Sequence, residues 1–314
     1  ITWLDSAIGA SERAIELDSN SAEGHTALGT ALAYKGFIEE AIPEFEMATE
    51  LNPSYFLALG TLVNLHVNRG ALDEALLWAK KVTILNPGFP VNYALMGEIY
   101  RQFGDFTRAE EFLKKGLQLQ PDLLDAHQFL SLLYVVQNKK EQAIEEIKKG
   151  VASTADDPRN LDRAARVVSI AGNIPLAREY YERAIKANAS FETDPTALSG
   201  VGLGHVLVKE GRRKEGLKLL GQARQLKETF VASGTVDNLV VYSVAAIYSV
   251  EGKNTKALEW VQKTIDAGWR DYRIWMIDPW FENIRSSTQF KNMVAQLKAK
   301  VDSMRTQVSA MEKE

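Results

Sequence analysis

Cysteine is absent from the 314 residues, which excludes disulfides, thiolate metal sites and thiol nucleophiles. That absence leaves the compartment open, because exported proteins also do without cysteine. No apolar run approaches the ~18–20 residues that a membrane-spanning helix requires. A basic excess is missing too: the formal net charge is −4, against the positive balance of a nucleic-acid binder. Histidine is scarce, and none of the four has the i, i+4 partner of a helical metal site. There is no GKS/GKT phosphate loop and no G-x-S-x-G elbow. Gly200-Val201-Gly202-Leu203-Gly204 has the wrong final spacing for a dinucleotide loop and follows no strand pattern. Carboxylates such as Glu145 and Glu146 sit among lysines on outward helix faces, as solvated i, i+4 surfaces do. Nothing argues for catalysis, a metal or a cofactor, so the chain reads as a non-enzyme.

What the sequence has is a period. Pro53, Pro87 and Pro121 fall 34 residues apart, each closing an amphipathic helical pair. Residues 22–55 carry Leu28-Gly29, Gly36, Ala41, Phe45 and Ala48 before their proline. Residues 56–89 carry Leu62, Gly70, Ala75 and Ala79, and residues 90–123 carry Tyr93, Met96-Gly97, Tyr100, Gly104 and Ala109. In 124–157 the set is Leu130, Tyr134, Ala143 and Gly150, with Asn138 at the turn and Ala155 in place of the proline. Residues 158–191 give Ala164-Ala165, Gly172, Ala177, Tyr181 and Ala184. After a short insertion at Asp194-Pro195, 197–230 give Leu203-Gly204, Gly211 and Ala223; a second, around Gly234, precedes 238–271 with Val244-Ala245, Tyr248, Gly252 and Ala257. Small residues at Gly29, Gly97 and Gly204 let paired helices approach, and the turn glycines supply left-handed backbone. Pro43 falls inside a second helix, where it either kinks the helix or occupies its first turns.

This pattern, a small residue and aromatic on the first helix, Ala and Phe on the second and a closing Pro, resembles the tetratricopeptide-repeat (TPR) family over about residues 5–271. The resemblance implies an all-α solenoid, an α–α superhelix of seven complete repeats. A half repeat, 1–21, precedes them: Ala7, Ala14 and Leu17 match only a second helix, so the chain is expected to be a fragment whose first helix lies upstream.

Past residue 271 the period breaks, leaving 272–314 as a cap and long helix. Asp278, Pro279, Phe281, Ile284, Arg285 and Phe290 resemble the terminator of TPR tails in bacterial kinase, cyclase and winged-helix proteins with TolB-like stretches. Trp269, Trp275, Trp280 and Phe281 read as the cover of the last repeat's apolar face, with an aromatic ligand cage as the alternative. Phe290, Val294, Leu297, Val301, Met304, Val308 and Met311 alternate at 3–4 spacing. That heptad over 290–311 either packs on the array or pairs with a second chain as a homodimer.

The resemblance also places the first helices along a concave groove. Its face then includes Leu95 and Arg101, an apolar strip of Phe129, Leu132 and Val136, a row of Arg159, Arg163 and Arg166, and finally His205 and Tyr242. Three guanidiniums on one face suit a carboxylate or phosphate, giving a protein or peptide partner with an acidic group over Arg163 and apolar anchors near Phe129. Two alternatives stand beside this: Asp156, Asp157 and Asp162 neutralise the arginines, or a neighbouring helix fills the strip as the superhelix closes. His25, His66 and His127 take aromatic or tyrosine positions and read as packing residues. The family's chaperone-tail clamp is absent, since its positions read Thr26 and Thr30, Gly60 and Asn64, Ala94 and Glu98. Asn64 also stands nearly alone, so the asparagine ladder of sugar-transferase arrays is missing. The functional expectation is a protein-interaction scaffold; the alternatives are the regulatory tail of a bacterial signalling enzyme and a self-assembling structural scaffold.

Overall fold

The computed structural model describes residues 3–152, 157–187, 194–234 and 237–312. Ala155 and Asp156 lie outside the described residues. Helix α1 (Trp3–Leu17) leads into α2 (Ala22–Tyr34) and α3 (Ile38–Leu51), α4 (Phe56–Asn68) and α5 (Leu72–Leu85), and α6 (Pro90–Phe103) and α7 (Phe106–Leu119). The pairing continues through α8 (Leu124–Val136) and α9 (Lys140–Ala152), and α10 (Pro158–Ala171) and α11 (Ile174–Ala187). Then come α12 (Ser199–Lys209) and α13 (Arg213–Ala232), and α14 (Asn238–Glu251) and α15 (Asn254–Asp266). The C-terminal segment adds α16 (Tyr272–Ile277), a 3₁₀ turn (Pro279–Phe281), α17 (Glu282–Arg285) and α18 (Thr288–Met311). Among the described residues there is no strand, and no helix is long and apolar enough to cross a membrane.

Local chemistry sets these boundaries. Side chains of Ser21, Asp105, Asp157, Asp237, Asp271 and Ser287 accept from backbone N–H groups at helix starts, each cap worth about 1 kcal/mol. Every turn glycine named from the sequence has positive φ, and Asn138 takes the same conformation at φ 60°. Pro43 lies inside α3 without ending it. The second insertion is partly helical, since α13 runs on to Ala232 before Gly234 turns left-handed.

Packing follows the period. Ala41, Ala75, Ala109, Ala143 and Ala177, each 34 residues from the next, are all fully buried on second helices. A Cβ on Gly97 would come within 2.5 Å of Leu113 Cγ and 3.0 Å of the Ala109 carbonyl, so only glycine admits that approach of α6 and α7. Consecutive pairs stack on one another, and a single apolar core runs from Leu59 on α4 to Val308 on α18. A core continuous between residues so distant shows that the superhelix closes on its own C-terminal segment.

That segment is the least periodic part of the chain and the most densely aromatic. Trp275, Trp280, Phe281 and Phe290 are fully buried. The Trp275 ring lies 6.1–6.2 Å from Tyr242, Trp269, Phe281 and Phe290. These rings act as core, covering the apolar face of α14 and α15, and leave no open aromatic cage. The heptad face of α18 is used in the same way: Phe290, Val294, Leu297, Val301 and Val308 are buried against the chain's own helices, and Met304 packs beside them. The apolar positions that a homodimer would need are therefore already covered; Met311 alone stays half exposed at the end.

Candidate functional site: the concave groove

The first helices α4, α6, α8 and α10 turn their concave faces toward the C-terminal segment, which enters the groove at Gly268. Arg270 Nε donates to the Gly70 carbonyl at 3.0 Å, and Arg273 donates to the Gln102 carbonyl at 2.6 Å. A Cβ on Gly70 or Gly268 would collide with the backbone of the other turn, so two glycines define this crossing. Asn238 on α14 donates to the Asn68 carbonyl at 2.9 Å, joining the late repeats to the early ones. At the far end Glu312 pairs with Lys80 at 2.5 Å and Arg108 at 2.9 Å, and accepts from the Tyr100 hydroxyl at 3.0 Å. Burial opposes that carboxylate's charge, but those donors outweigh it and hold its pKa down at about 2.

The ten groove residues singled out from the sequence divide into two groups. Arg101, Arg166, His205 and Tyr242 are buried against the chain's own residues, which corrects the expectation that they face a partner. Arg101 donates to Glu98 at 2.6 Å and to Asp271 at 2.5 Å. Arg166 pairs with Asp278, donates to the Tyr242 hydroxyl at 2.6 Å and stacks 3.9 Å from the Trp280 ring centroid. Tyr242 in turn donates to Asp278. Burial penalises both guanidiniums, yet the adjoining carboxylates more than offset it and raise their pKa values above the ordinary range. The physical reason is that the segment bears its own acids, Asp271 and Asp278, opposite the groove's arginines.

The other six remain at accessible places. Leu95, Phe129, Leu132 and Val136 are half-buried, packed along the edge of the core. Arg159 and Arg163 are exposed, and Arg163 pairs with Asp125 at 2.7 Å. Arg159 and Arg163 are therefore separated in role from Arg166, and the row does not act as one three-fold site. Of the acids in the neutralisation alternative, Asp156 lies outside the described residues and the other two are engaged elsewhere. Asp157 caps α10, and Asp162 binds the Leu198 N–H and the Ser199 hydroxyl.

Between the segment and the first helices one cavity of about 280 Å³ stays open, lined among others by Arg101, Phe129, Leu132, Arg163, Arg166 and Trp269. Four arginines and two carboxylates line it, and Asp125 and Asp278 just outside the lining pair with Arg163 and Arg166. A second and larger opening of about 1200 Å³ lies between α2, α4, the ends of α13 and α15 and the middle of α18. Sequence reasoning did not reach it, because its far wall comes from elements distant in the chain.

The histidines do more than pack. His25 bonds Glu44 and His127 bonds Glu146, both at 2.7 Å and both across 19 residues. The shared repeat position of the two pairs is a signal available in the sequence. His205 has no hydrogen-bond partner at either ring nitrogen among the described residues, and burial lowers its pKa to about 4 despite Asp278 and Glu282 nearby, with Lys209 and Arg166 adding to the depression. Above pH ~6.5 the ring is neutral both folded and unfolded. As pH falls toward 4 the unfolded chain takes the proton first, so stability drops, by on the order of 3 kcal/mol at most. The difference in urea midpoint between pH 7 and pH 4.5 is expected to shrink in His205→Leu; an identical pH dependence would contradict the assignment.

The tetratricopeptide-repeat family model matches residues 26–89 and, in a second form, residues 100–164. This is a tetratricopeptide-repeat protein. The crystal structure of yeast Tom70 resembles the TPR chain at a TM-score of 0.54 and 14% identity, over 97% of this chain and 59% of that one. At that identity the likeness shows the fold alone, and the chain spans little more than half of Tom70. A thermophilic TPR protein of Thermus thermophilus aligns at 22% identity and a TM-score of 0.48, over 53% of this chain and 91% of the other. YrrB, described as a TPR protein with an unusual peptide-binding site, aligns at 17% identity and a TM-score of 0.41, over 58% and 94%. No curated protein matches the chain. TPR arrays are typically non-catalytic protein-interaction scaffolds, and the repeats of this chain support a protein-interaction scaffold.

Proposed function

We propose that the array binds a segment of a partner protein in the part of its concave groove that residues 269–312 leave open. The observation that carries this is convergence: the apolar Phe129 and Leu132 and the exposed Arg163 line one cavity. At about 280 Å³ it falls just below the ~300–1,000 Å³ range of small-ligand sites, room for one or two side chains of a peptide. The partner places an apolar side chain against Phe129 and Leu132 and a carboxylate on Arg163. That arginine is 47% exposed and its partner Asp125 37% exposed, so the pair contributes only about 0.2–1 kcal/mol and an incoming carboxylate displaces Asp125 at small cost. With a labelled amphipathic peptide of leucines and glutamates, Arg163→Glu is expected to weaken binding about tenfold or more, the ~1.4 kcal/mol of one charge-assisted contact. Unchanged affinity would remove Arg163 from the site.

A second reading is the regulatory tail of a signalling enzyme, supported by the terminator residues: Asp278 holds Arg166, and Arg285 donates to the Asp278 carbonyl. A catalytic domain encoded in frame with this chain supports it; a natural protein without one contradicts it.

A further inference from the structure

The larger opening at the N-terminal end of the groove carries chemistry of its own. Its wall combines exposed apolar side chains with carboxylates. Tyr34 is 69% and Leu57 61% exposed there, and Phe230 and Met304 face them across the gap. Five acids, Glu39, Asp73, Glu74, Asp237 and Asp266, meet three cations, Arg69, Arg270 and Lys300, for a net charge of −2. Two of the cations are already engaged. Arg69 bridges Glu39 and Glu74, and Arg270 is spent on the carbonyls of Gly70, Ile265 and Trp269. Asp73 and Asp266 have no ion-pair partner among the described residues, and they come from different ends of the array, α5 and α15. At about 1200 Å³ the space exceeds that of small-molecule pockets and suits a stretch of polypeptide.

We infer that this opening docks a cationic amphipathic helix of a partner protein, its apolar face on Tyr34 and Leu57 and its lysines or arginines on Asp73 and Asp266. The inference deepens the groove-binding reading and rests on it. Helix-in-groove recognition needs an apolar floor with charges of the opposite sign at the rim, and both are present. The two openings adjoin, with Asn68, Asn238 and Arg270 lining both.

The test uses the whole chain and two labelled helical peptides, one with leucines facing lysines and one with leucines facing glutamates. Fluorescence anisotropy at ~0.1 M salt is expected to show the lysine peptide binding, with the affinity falling about tenfold or more in Asp73→Asn/Asp266→Asn. These isosteric changes keep the fold, as the unchanged helical circular dichroism of the variant checks. Arg163→Glu is expected to leave lysine-peptide binding unchanged. Lysine-peptide binding that ignores the Asn variant would overturn the inference. Binding of the glutamate peptide alone, lost in Arg163→Glu, would uphold groove binding while overturning the cationic partner. No binding by either peptide would overturn both.

Discussion

Trp275→Ala is expected to cost about 3–5 kcal/mol and to loosen the C-terminal segment before the rest of the array. The indole is fully buried at the junction of four aromatic rings that come from α14, the loop after α15, the 3₁₀ turn and α18. Truncation there removes the contact surface common to all of them, and rigid helices on every side resist collapse into the cavity. Because solenoid stability is a sum of neighbouring interfaces, the loss stays local at first. Hydrogen exchange should therefore accelerate in α16–α18 while α6–α9 keep their protection. Trp3→Ala serves as the control, since that ring is 71% exposed and its loss should stay within about 0.5 kcal/mol. Equal effects from the two substitutions would remove the aromatic junction as the centre of the closure.

The second large effect concerns charge. Asp278→Ala leaves the buried Arg166 guanidinium without its carboxylate, and the cost expected from breaking one half of a buried pair is about 3–5 kcal/mol. Asp278 also accepts from the Tyr242 hydroxyl and the Trp280 N–H, so part of the loss is hydrogen bonding. Asp278→Asn removes the charge while keeping one of the two acceptor oxygens, so either the Trp280 N–H or the Tyr242 hydroxyl retains its acceptor, but not both. Arg166→Met combined with Asp278→Ala should recover much of the loss, since no unpaired charge then remains buried. Urea midpoints of the two single variants and the double one form the thermodynamic cycle. Additive losses, with no recovery in the double variant, would mean that the pair is uncoupled.

The array itself was legible because its information is local and repeated. Ala41 and its equivalents 34 residues on, the turn glycines and the closing prolines each report on contacts within one or two repeats. The concave position of Arg101, Arg166 and Tyr242 was legible for the same reason. What the period does not encode is the occupant of that face. Arg101 meets Asp271 across 170 residues and Arg166 meets Asp278 across 112, separations set by the summed curvature of the repeats. Small per-repeat rotations accumulate, and no single repeat displays the total. The heptad of α18 is ambiguous in a related way. Valines and leucines at 3–4 spacing specify an apolar stripe but not whether its cover is a second chain or the chain's own α5 and α6. The acidic opening around Asp73 and Asp266 is invisible in the sequence because its two sides lie nearly two hundred residues apart.

The absence of cysteine makes the decisive measurement simple. Lys80→Cys/Glu312→Cys places two thiols where α5 and the end of α18 meet, and a short bismaleimide then reports whether they are neighbours. A cross-link within one chain is expected, complete and at a rate independent of protein concentration, because the end of α18 lies against α5 of the same chain. Cross-linked dimers that increase with concentration, or thiols that stay unlinked, would contradict a groove closed by its own C-terminal segment.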